Sequence, residues 1–390
     1  MTQHFGGGPL AGVRVLELAG IGPCPFCAML LADLGAEVIR VDRPGPPSQA
    51  LPSQAAPPDV TSRGKRRVIV DLKHPRGAGL VLRLAELSDV LLEGYRPGVA
   101  ERLGVGPADC QARNPRLVYG RMTGWGQDGP LAESAGHDIA YIAITGALHA
   151  IGRSGGPPQV PVNYLGDFGG GAMFLALGVL AALLEARQSG RGQVVDAAIV
   201  DGTAVLQAMT YGLLAGGAWA DRRGVNLLDT GAPFYDVYAT ADGRHMAVGA
   251  LEPQFYAEFV RLLFAPDGPG TGLPAQHDRT RWPELRALFA ERFASRTQAE
   301  WTEVFAGTDS CVAPVLPMAE APDHPHLAAR GTYAETDGVV QPAPAPRFSS
   351  VGRLEPGRLT LPGEHTREVL TGLGFADAED LLASGVVVQH

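Results

Sequence analysis

The chain has 390 residues, enough for two or three domains, and its 32 Lys and Arg against 41 Asp and Glu give a formal net charge of −9. This acidic balance excludes nucleic acid as a general partner, because neutralising phosphates requires a basic face, but it leaves a local basic pocket open. Four cysteines are too few for a disulfide framework, and the first eight residues lack the basic and apolar regions of a leader, so we expect a cytoplasmic protein.

The first half of the chain alternates short β-branched runs with helical windows. Strands are predicted at 13–18, 37–42, 67–71, 89–93 and 116–121, and helices at 26–34 and 75–87. This alternation is typical of βαβ units, so we expect an α/β fold: a Rossmann-like large domain with a mostly parallel sheet covered on both faces. The apolar run 168–184 is interrupted by glycines, and we interpret it as a buried helix of a protein with no membrane partner.

The pattern changes after residue 201. Residues 235–240 and 244–249 flank an Asp-Gly turn and predict a β-hairpin, and amphipathic helical windows follow near 253–264, 281–294 and 297–306. These elements predict a smaller α+β domain. The expected division is 1–203 for the N-terminal part of the large domain, 204–224 for a linker, 225–320 for the small domain, 321–345 for a second linker, and 346–390 for a C-terminal segment that completes the large domain.

A Cys24-Pro-Phe-Cys27 sequence follows the first strand and begins a helix. A glutaredoxin-type dithiol occupies such a position, because a helix N-terminus lowers a thiol pKa. The alternative is that both cysteines are small buried residues at a tight turn, and we favour it because a redox centre would leave the other 360 or so residues without a role.

Seven cations occur within 34 residues of this acidic chain: Arg40, Arg43, Arg63, Lys65, Arg66, Arg67 and Lys73. Such a cluster is either a solvated face or a phosphate site, since open α/β sheets bind phosphorylated ligands at strand ends. No glycine-rich phosphate loop follows the first strand. Any phosphates would therefore be held by Arg and Lys side chains.

His137 and Asp167 each begin an apolar helical window. A His at a helix start and an Asp at an N-cap are ordinary structural choices. Asp167, however, is followed by Phe168 and three glycines, which would let a ligand approach backbone N–H groups at a positive helix end and stabilise an oxyanion. Glu252 is by default only an acidic residue in the first turn of a small-domain helix.

Several motifs together resemble the family III CoA-transferases and, within them, the α-methylacyl-CoA racemases. The segments that carry the resemblance are Pro9 to Leu18, Leu31 to Arg43, Glu93-Gly-Tyr-Arg-Pro-Gly98, Thr123-Gly-Trp-Gly-Gln127, Gly136-His-Asp138, Gly166-Asp-Phe-Gly-Gly170, Leu251-Glu-Pro-Gln-Phe255 and Cys311-Val-Ala-Pro-Val315. The resemblance runs from about Leu10 to Phe348. It implies a racemase of 2-methylacyl-CoA thioesters, an enzyme of fatty acid and lipid metabolism.

The resemblance also implies the site. His137 and Asp167 are expected on opposite sides of the substrate α-carbon, and Glu252 from the small domain is expected to hold the imidazole. The implied CoA-binding residues are Arg43, Val70, Asp71, Leu72, Lys73, Gly94, Tyr95, Arg96, Pro97, Gly98, Val99, Arg102, Gly136, Asp138, Ile139, Ala140 and Tyr141. CoA is part of the substrate, no other cofactor or metal is required, and the implied assembly is a homodimer of two chains interlocked like rings.

Inverting a carbon α to a thioester requires one base and one conjugate acid of near-matched pKa on opposite faces. Two other functions remain open: a CoA-transferase between carboxylic acids with Asp167 as nucleophile, and a non-catalytic CoA-binding protein. Cys24, where the family pattern favours glycine, and the Pro/Ala-rich loop from Pro44 to Arg63 depart from that pattern. The loop is a candidate for altering the acyl entrance.

Overall fold

The computed structural model describes residues 7–45, 57–265 and 272–390. The chain divides into two compact units. The first comprises Met1–Thr145, Val162–Leu206 and Pro325–His390, and the second comprises Gly146–Pro161 and Gln207–His324. The chain therefore enters the second unit twice, and its C-terminal residues return to the first. Most of the Pro44–Arg63 loop, residues 46–56, lies outside the described residues.

The secondary structure elements are numbered in chain order. The strands are β1 (Arg14–Leu18), β2 (Glu37–Asp42), β3 (Lys65–Val70), β4 (Val90–Glu93), β5 (Val118–Thr123), β6 (Val194–Ala198), β7 (Tyr235–Ala239), β8 (His245–Gly249), β9 (Val312–Pro314), β10 (Tyr333–Thr336), β11 (Val339–Pro342) and β12 (Val387–Val388). The α-helices are α1 (Pro23–Asp33), α2 (Gly77–Glu86), α3 (Val99–Arg102), α4 (Pro107–Arg113), α5 (Asp138–Ile144), α6 (Ala147–Ala150), α7 (Met173–Ser189), α8 (Ile199–Leu206), α9 (Ala208–Ala215), α10 (Pro253–Leu263), α11 (Trp282–Phe293), α12 (Gln298–Phe305), α13 (Pro325–Arg330), α14 (Thr366–Gly372) and α15 (Ala378–Ala383). A π-helical segment, Tyr164–Ala172, runs directly into α7.

The first unit is organised around a seven-stranded sheet of order β12-β3-β2-β1-β4-β5-β6. Strands β1 to β6 are parallel, and β12 adds an antiparallel edge. The predicted mixed α/β fold with a mostly parallel sheet is confirmed. Because the strand order reverses between β1 and β4, the loops after these two strands diverge and leave a crevice, where open α/β sheets bind ligands.

Helices cover both faces of this sheet, so nearly every residue of β1 to β5 is buried. One face packs against α1 and α7 through the buried side chains of Val15, Val38, Val90, Leu92 and Val118. The opposite face packs against α2, α14 and α15 through those of Leu16, Ile39, Val41, Val68, Val70 and Leu91. The C-terminal helices thus contribute to a core built mainly by the N-terminal half of the chain.

Two elements begin earlier than the hydrophobic pattern predicts. Helix α1 begins at Pro23 rather than 26, because a proline fits the first helical position, where its missing N–H is not needed. Strand β3 begins at Lys65 rather than 67, because buried ion pairs let Lys65 and Arg67 lie inside the core. The apolar run, which starts at Val68, marks only its second half.

The second unit contains the antiparallel sheet β7-β8-β9, and the predicted hairpin is its β7–β8 pair. Helices α10, α11 and α12 pack on this sheet and lie within one or two residues of their predicted bounds. The core between them is aromatic, with Phe259, Phe289, Phe293 and Trp301 all fully buried. Large rings bury much apolar area per residue, which suits a small unit.

The stretches 204–224 and 321–345, which we expected to be linkers, carry regular structure. Helix α9 occupies 208–215, and none of its residues is buried in this chain. Strands β10 and β11 form a hairpin within 333–342, with Asp337 and Gly338 at its turn in positive-φ conformations. The Asp-Gly pair is a hairpin signal in the sequence that the linker assignment did not take into account.

The helical stretch Tyr164–Ser189 is 26 residues long, and by length and composition alone it is apolar enough to cross a membrane. In this protein 44% of its apolar window is buried. Leu175, Val179 and Leu183 pack against the sheet, while Met173, Leu177 and Leu184 are 52%, 63% and 62% exposed. The expectation of a buried helix therefore holds for one face of α7 only.

Candidate active site

Asp167 lies within the π-helical segment, in the first turn of the continuous helical stretch that ends at Ser189. The N-cap is Asn163, not Asp167 as the sequence suggested. Asn163 donates from Nδ2 to Asp167 Oδ2 over 3.2 Å. The preceding residue, Val162, has φ +58°, a strained conformation for a β-branched residue. π-Helical turns and backbone strain both tend to occur at functional sites.

The glycines around Asp167 serve close packing rather than an open cradle, which corrects the sequence interpretation. A Cβ at Gly170 would lie 2.4 Å from Thr203 Oγ1, and one at Gly202 would lie 1.8 Å from the Gly170 carbonyl oxygen. A Cβ at Gly171 would meet Ile199 at 3.1 Å. These glycines therefore let α8 approach the π-helical backbone, and they leave no room there for a ligand.

His137 caps the N-terminus of α5 in an extended conformation, with φ −134° and ψ 170°, and its side chain is exposed. Its carbonyl oxygen accepts hydrogen bonds from the N–H groups of Ala140 and Tyr141 at 2.8 and 3.3 Å. The ring of Tyr141 packs edge-on against Trp125, with 4.6 Å between centroids. A Cβ at Gly136 would come within 2.5 Å of that ring, so glycine is required before His137.

Asp138 joins the His137 helix to the Asp167 turn. Its buried carboxylate accepts a hydrogen bond from the Asp167 backbone N–H at 2.6 Å and another from the Gly166 N–H. A Cβ at Gly166 would lie 2.4 Å from Asp138 Oδ2, so only glycine permits this approach. The N–H groups of Gly166 and Asp167, which precede the glycine stretch, are therefore occupied by a carboxylate of the protein.

The pKa of the Asp167 carboxyl is raised. Burial is the largest cause, and the charge of Asp138 raises it further, whereas the Asn163 hydrogen bond and the charge of His137 lower it. The Asp167 carboxylate in turn raises the pKa of Tyr141, after the larger effect of burial, while Arg96 lowers it. These mutual effects bring His137, Asp138, Tyr141, Asp167 and Arg96 into one electrostatic neighbourhood.

The first turn of α1 forms another wall beside Asp167. Gly22, with φ +71°, is so close that a Cβ there would lie 3.3 Å from Asp167 Oδ2. The rings of Phe26 and Phe168 stack with centroids 4.4 Å apart. A Cβ at Gly171 would be 3.2 Å from Pro23 Cβ. The loop after β1 and the Asp167 turn thus meet at the crevice of the sheet.

The turn after β4 begins beside α1, since a Cβ at Gly94 would lie 3.3 Å from Cys24 Cβ. Glu93 fixes the turn, because its buried carboxylate accepts the Tyr95 N–H at 2.7 Å and Arg121 Nε at 2.9 Å. Gly98 has φ +75° and caps α3. The predicted CoA-binding turn 94–99 therefore has a defined conformation at the carboxyl end of β4.

Most of the cation cluster is occupied by ion pairs within the protein, contrary to the expectation that it serves a ligand. The recorded pairs are Arg40 with Glu17 and Asp42, Arg63 with Asp33, Lys65 with Glu17, Arg66 with Glu37 and Glu368, and Arg67 with Asp42 and Asp59. These ion pairs connect strands β1, β2 and β3 and hold the segment 57–64.

A different set of cations is exposed and, within the described part of the chain, has no ion pair: Arg43, Lys73, Arg96 and Arg102. Arg43 follows β2, Lys73 follows β3, and Arg96 follows β4. Arg102 lies in α3, where its Nη1 is 3.1 Å from the position of a Cβ on Gly98. The parallel strands β3, β2 and β4, of which the last is separated from β2 by β1, thus each carry a cation beyond their carboxyl ends.

The other predicted CoA-binding residues lie at the same edge or on α5. Val70 is the last residue of β3, and Asp71 and Leu72 follow it; the Asp71 Oδ1 accepts the Lys73 N–H at 2.9 Å. Pro97 and Val99 complete the turn into α3, and Ile139, 46% exposed, and Ala140 lie in the first turn of α5. The first unit therefore brings together His137, Asp167 and these predicted residues.

Glu252 belongs to the second unit. It caps the N-terminus of α10 with an exposed side chain, and its carbonyl oxygen accepts the Tyr256 N–H at 2.9 Å. After burial, its charge is the next cause of the raised pKa of Cys311. The default interpretation of Glu252 as a residue at a helix start is thus accurate for its local structure.

The dithiol interpretation of Cys24 and Cys27 fails on burial. Both side chains are fully buried, and both pKa values are raised, that of Cys27 to about 12. Burial is the largest cause for each, with the charge of Glu17 adding to it. Because only a thiolate reacts as a nucleophile, these cysteines are packing residues of the α1 core.

Sequence reasoning missed Gly22 and Asn163 and assigned Asp138 only to CoA. Asn163 has a signal, since an Asn four residues before Asp167 suits an N-cap. Gly22-Pro23 after a strand also marks the tight start of a helix. Nothing local indicates that Gly22 faces the carboxylate of Asp167, because the two residues are 145 positions apart.

Comparison with known proteins gives consistent matches over most of the chain. The model of the family described as CoA-transferase family III matches residues 10–366. The α-methylacyl-CoA racemase of Homo sapiens is 46% identical over 374 residues, 95% of this chain and 94% of that protein. The succinyl-CoA:glutarate CoA-transferase of Mus musculus is 31% identical over 402 residues, 98% of this chain and 91% of that protein. The crystal structure of a CAIB/BAIF family protein from Brucella suis aligns with a TM-score of 0.81 at 25% identity, covering 94% of this chain and 99% of that one.

Proposed function

The chain belongs to CoA-transferase family III, and we propose that within this family it is a racemase that interconverts (R)- and (S)-2-methylacyl-CoA thioesters. Identity to a racemase is 46%, against 31% to a transferase of the same family. The observation that carries the proposal is the pairing of His137 with a carboxyl, Asp167, whose pKa is raised by burial. An imidazole and such a carboxyl form an acid–base pair.

The reaction is a 1,1-proton transfer. One of His137 and Asp167 removes the α-proton, and the electron pair of the broken C–H bond moves into the thioester to give an enolate. The conjugate acid on the opposite face then returns a proton to the α-carbon, and the thioester is restored with inverted configuration. The reverse reaction exchanges the two roles, so the two groups need similar pKa values.

Burial of Asp167 serves this requirement. An imidazole exchanges protons near neutral pH, whereas an ordinary carboxyl is ionised there. The raised pKa of Asp167 brings the carboxyl closer to that of an imidazole, which is the direction that an exchange of roles requires. The transferase reaction, by contrast, gives His137 no role.

The enolate oxygen needs donors, and the glycine-rich turn does not supply them because Asp138 occupies the N–H groups of Gly166 and Asp167. Helix starts leave their first N–H groups without intrahelical acceptors. The start of α1 offers no accessible donor, because Pro23 and Pro25 have no N–H and Cys24 is fully buried. The start of α5, beside His137, keeps its first N–H groups, and we assign the enolate to this helix end.

The four unpaired cations account for CoA recognition. CoA is a polyanion, and its phosphates require charged donors when no glycine-rich loop is present. Arg43, Lys73, Arg96 and Arg102 project from one edge of the sheet. The turn 94–99 between them is held rigid by Glu93, which suits binding without a large ordering cost.

The test of the function is loss of the α-proton in deuterated solvent from (R)- and (S)-2-methylacyl-CoA separately. A racemase exchanges the proton of both epimers and converts each into the other. Failure to exchange with either epimer would overturn the proposal. Trapping of an aspartyl adduct, together with CoA transfer to an added free acid, would identify the transferase instead. A panel of acyl-CoA thioesters then defines the preferred acyl chain.

We further propose that the active enzyme is the interlocked homodimer. Helix α7 is apolar on all sides, yet Met173, Leu177 and Leu184 lie exposed along one of its faces, and no residue of α9 is buried in this chain. A helix that is hydrophobic all round is normally covered. A second copy of the chain is the covering partner, and it also brings the Glu252 of one chain to the His137 of the other.

The pH dependence of exchange is predicted to shift in opposite directions for two neighbours of Asp167. The Asn163 hydrogen bond lowers the pKa of Asp167, so Asn163→Ala raises it and moves the acid limb of the rate to higher pH. The charge of Asp138 raises that pKa, so Asp138→Asn lowers it and moves the limb to lower pH.

Both shifts of the acid limb concern the epimer that Asp167 deprotonates. The carboxyl of Asp167 must be ionised to act as a base, so the exchange rate falls as the pH drops through its pKa. The measurement is the rate of α-proton exchange against pH for each variant and each epimer. Shifts in the same direction for both variants would contradict the assignment of Asp167 as a base.

CoA affinity is predicted to depend on the unpaired cations. Replacing Arg43, Lys73, Arg96 or Arg102 singly by alanine should raise KM about tenfold or more, because a hydrogen bond to a charged group contributes about 1.5–3 kcal/mol. The kcat should change little, since phosphate contacts are the same in ground and transition states. The matched control is Arg116→Ala. Arg116 is an exposed cation that precedes β5, at the amino ends of the strands, so its replacement should leave KM unchanged.

A further inference from the structure

A buried polar network lies on the sheet face that α1 covers, where valines would be expected. Its members are Glu17, Arg40, Asp42, Lys65 and Arg67, which we call the Lys65 network. Glu17 is opposite Arg40 in the β1–β2 register, and Arg40 is opposite Arg67 in β2–β3, so their side chains share this face. Each member is less than a tenth exposed. None of them has a role in the proton transfer.

Lys65 connects this network to α1. Its side chain is 0% exposed, and its ammonium donates to Glu17 Oε2 at 2.6 Å and to the carbonyl oxygen of Pro25 at 2.9 Å. Burying an ammonium is costly, and a well-packed apolar side chain would usually be as stable or more so. Stability therefore does not explain why a cation occupies this position. What the cation adds is a fixed distance between the sheet and the first turn of α1.

That first turn is the wall beside Asp167. Pro25, whose carbonyl Lys65 holds, lies between Cys24 and Phe26. Phe26 stacks on Phe168, the residue after Asp167. Gly22 is so close to Asp167 that a Cβ added to this glycine would lie 3.3 Å from Asp167 Oδ2. A shift of this turn away from the sheet would open a path for water to the carboxyl of Asp167.

We propose that Lys65 is a positioning residue of the racemase, holding the first turn of α1 against the Asp167 turn through the carbonyl of Pro25. The inference rests on the proposed function. Lys65 acts through α1 and does not touch substrate. The titratable groups near Lys65 are Glu17 and Arg40 on the sheet and Cys24 in α1. The titratable groups near Asp167 are His137, Asp138 and Tyr141, at the start of α5 and within it. The first turn of α1 brings no charge to Asp167.

The test compares two variants in one background. Glu17→Gln keeps Lys65 and its bond to Pro25, whereas Glu17→Gln with Lys65→Met removes that bond without leaving an unpaired glutamate. We expect the double variant to lose about ten- to a hundredfold in kcat, because displacement by about 1 Å at a catalytic group has effects of this size. The KM for acyl-CoA should stay within about twofold of the single variant, because no phosphate contact changes.

A pH profile separates positioning from general destabilisation. Water admitted to Asp167 relieves its burial, so its raised pKa falls and the acid limb of exchange moves to lower pH in the double variant. The matched control is Arg83→Met with Asp377→Asn, which removes an ion pair between α2 and the residue before α15 on the opposite sheet face. The control should leave kcat and the pH profile unchanged, whatever its effect on thermal unfolding.

A folded double variant with the kcat and pH profile of Glu17→Gln would overturn the inference while leaving the racemase function intact, since wild-type exchange is measured in the same series. Should the double variant not fold, Phe26→Leu decides, because it removes the ring that stacks on Phe168 and so loosens the same turn from the Asp167 turn. Reduced kcat with a shifted acid limb supports the inference. An unchanged rate and profile in Phe26→Leu shows that the turn does not govern Asp167 and overturns it.

Discussion

Replacing His137 by alanine is expected to reduce epimerisation of 2-methylacyl-CoA about 10²- to 10⁴-fold, because a positioned general acid–base contributes a factor of this size. Asp167→Asn should have an effect of the same order, since an amide can neither accept nor return the proton. His149→Ala is the matched control, as its imidazole is also exposed but lies in the second unit, on α6.

The residual proton exchange of the two variants carries the sharper information. Each variant keeps one base, so it should still exchange the α-proton of one epimer with deuterated solvent while failing to form the other epimer. The two variants should prefer opposite epimers. If both exchanged the same epimer, His137 and Asp167 would not lie on opposite faces of the α-carbon and the two-base mechanism would be wrong. Proton NMR and mass spectra of each epimer, recovered after incubation, measure how much deuterium it has taken up and how much of the other epimer has formed.

Placing charges on the exposed face of α7 is expected to abolish activity by separating the dimer. Leu177 and Leu184 are 63% and 62% exposed in this chain, and covering each contributes about 1.5–3 kcal/mol. Leu177→Asp with Leu184→Glu removes that contribution and would bury two charges, so we expect a monomer in sedimentation velocity. The monomer should be inactive, because in the proposed dimer Glu252 reaches His137 from the other chain.

The control for this variant is Leu361→Asp, a substitution at a leucine that is 70% exposed in the first unit. It should sediment and react as the wild type does. Full activity in a monomeric fraction of the double variant would contradict the dimer proposal. Binding of the wild-type chain to phospholipid vesicles, lost in the double variant, would show that α7 faces a membrane and not a second copy.

The local pattern predicted the elements well where a strand or helix carries its own signal. The bounds of β2 and of the β7–β8 hairpin match closely because alternating or continuous β-branched residues define them. Strand β3 was predicted two residues late because Lys65 looks like a loop residue until its partner, Glu17, is known. The partner lies 48 residues away, and no local rule supplies it.

The candidate site divides in the same way. Its motifs, including His137 and Asp167, are contiguous in sequence and could be located there. The use of each glycine and cation could not, because it depends on what packs against it. The glycines after Asp167 meet α8, and five of the seven cations near the sheet edge meet carboxylates.

The sequence by itself determined the parallel α/β architecture, the acidic charge balance and the family motifs, because each depends on composition or on neighbours along the chain. Only the tertiary structure decided which of the clustered cations form ion pairs within the protein, why Cys24 and Cys27 are buried packing residues, and why the pKa of Asp167 is raised. These properties arise from burial and from charges brought close by folding. Arg63, for example, donates to Gln341 across 278 residues, a contact set by the packing of the whole unit.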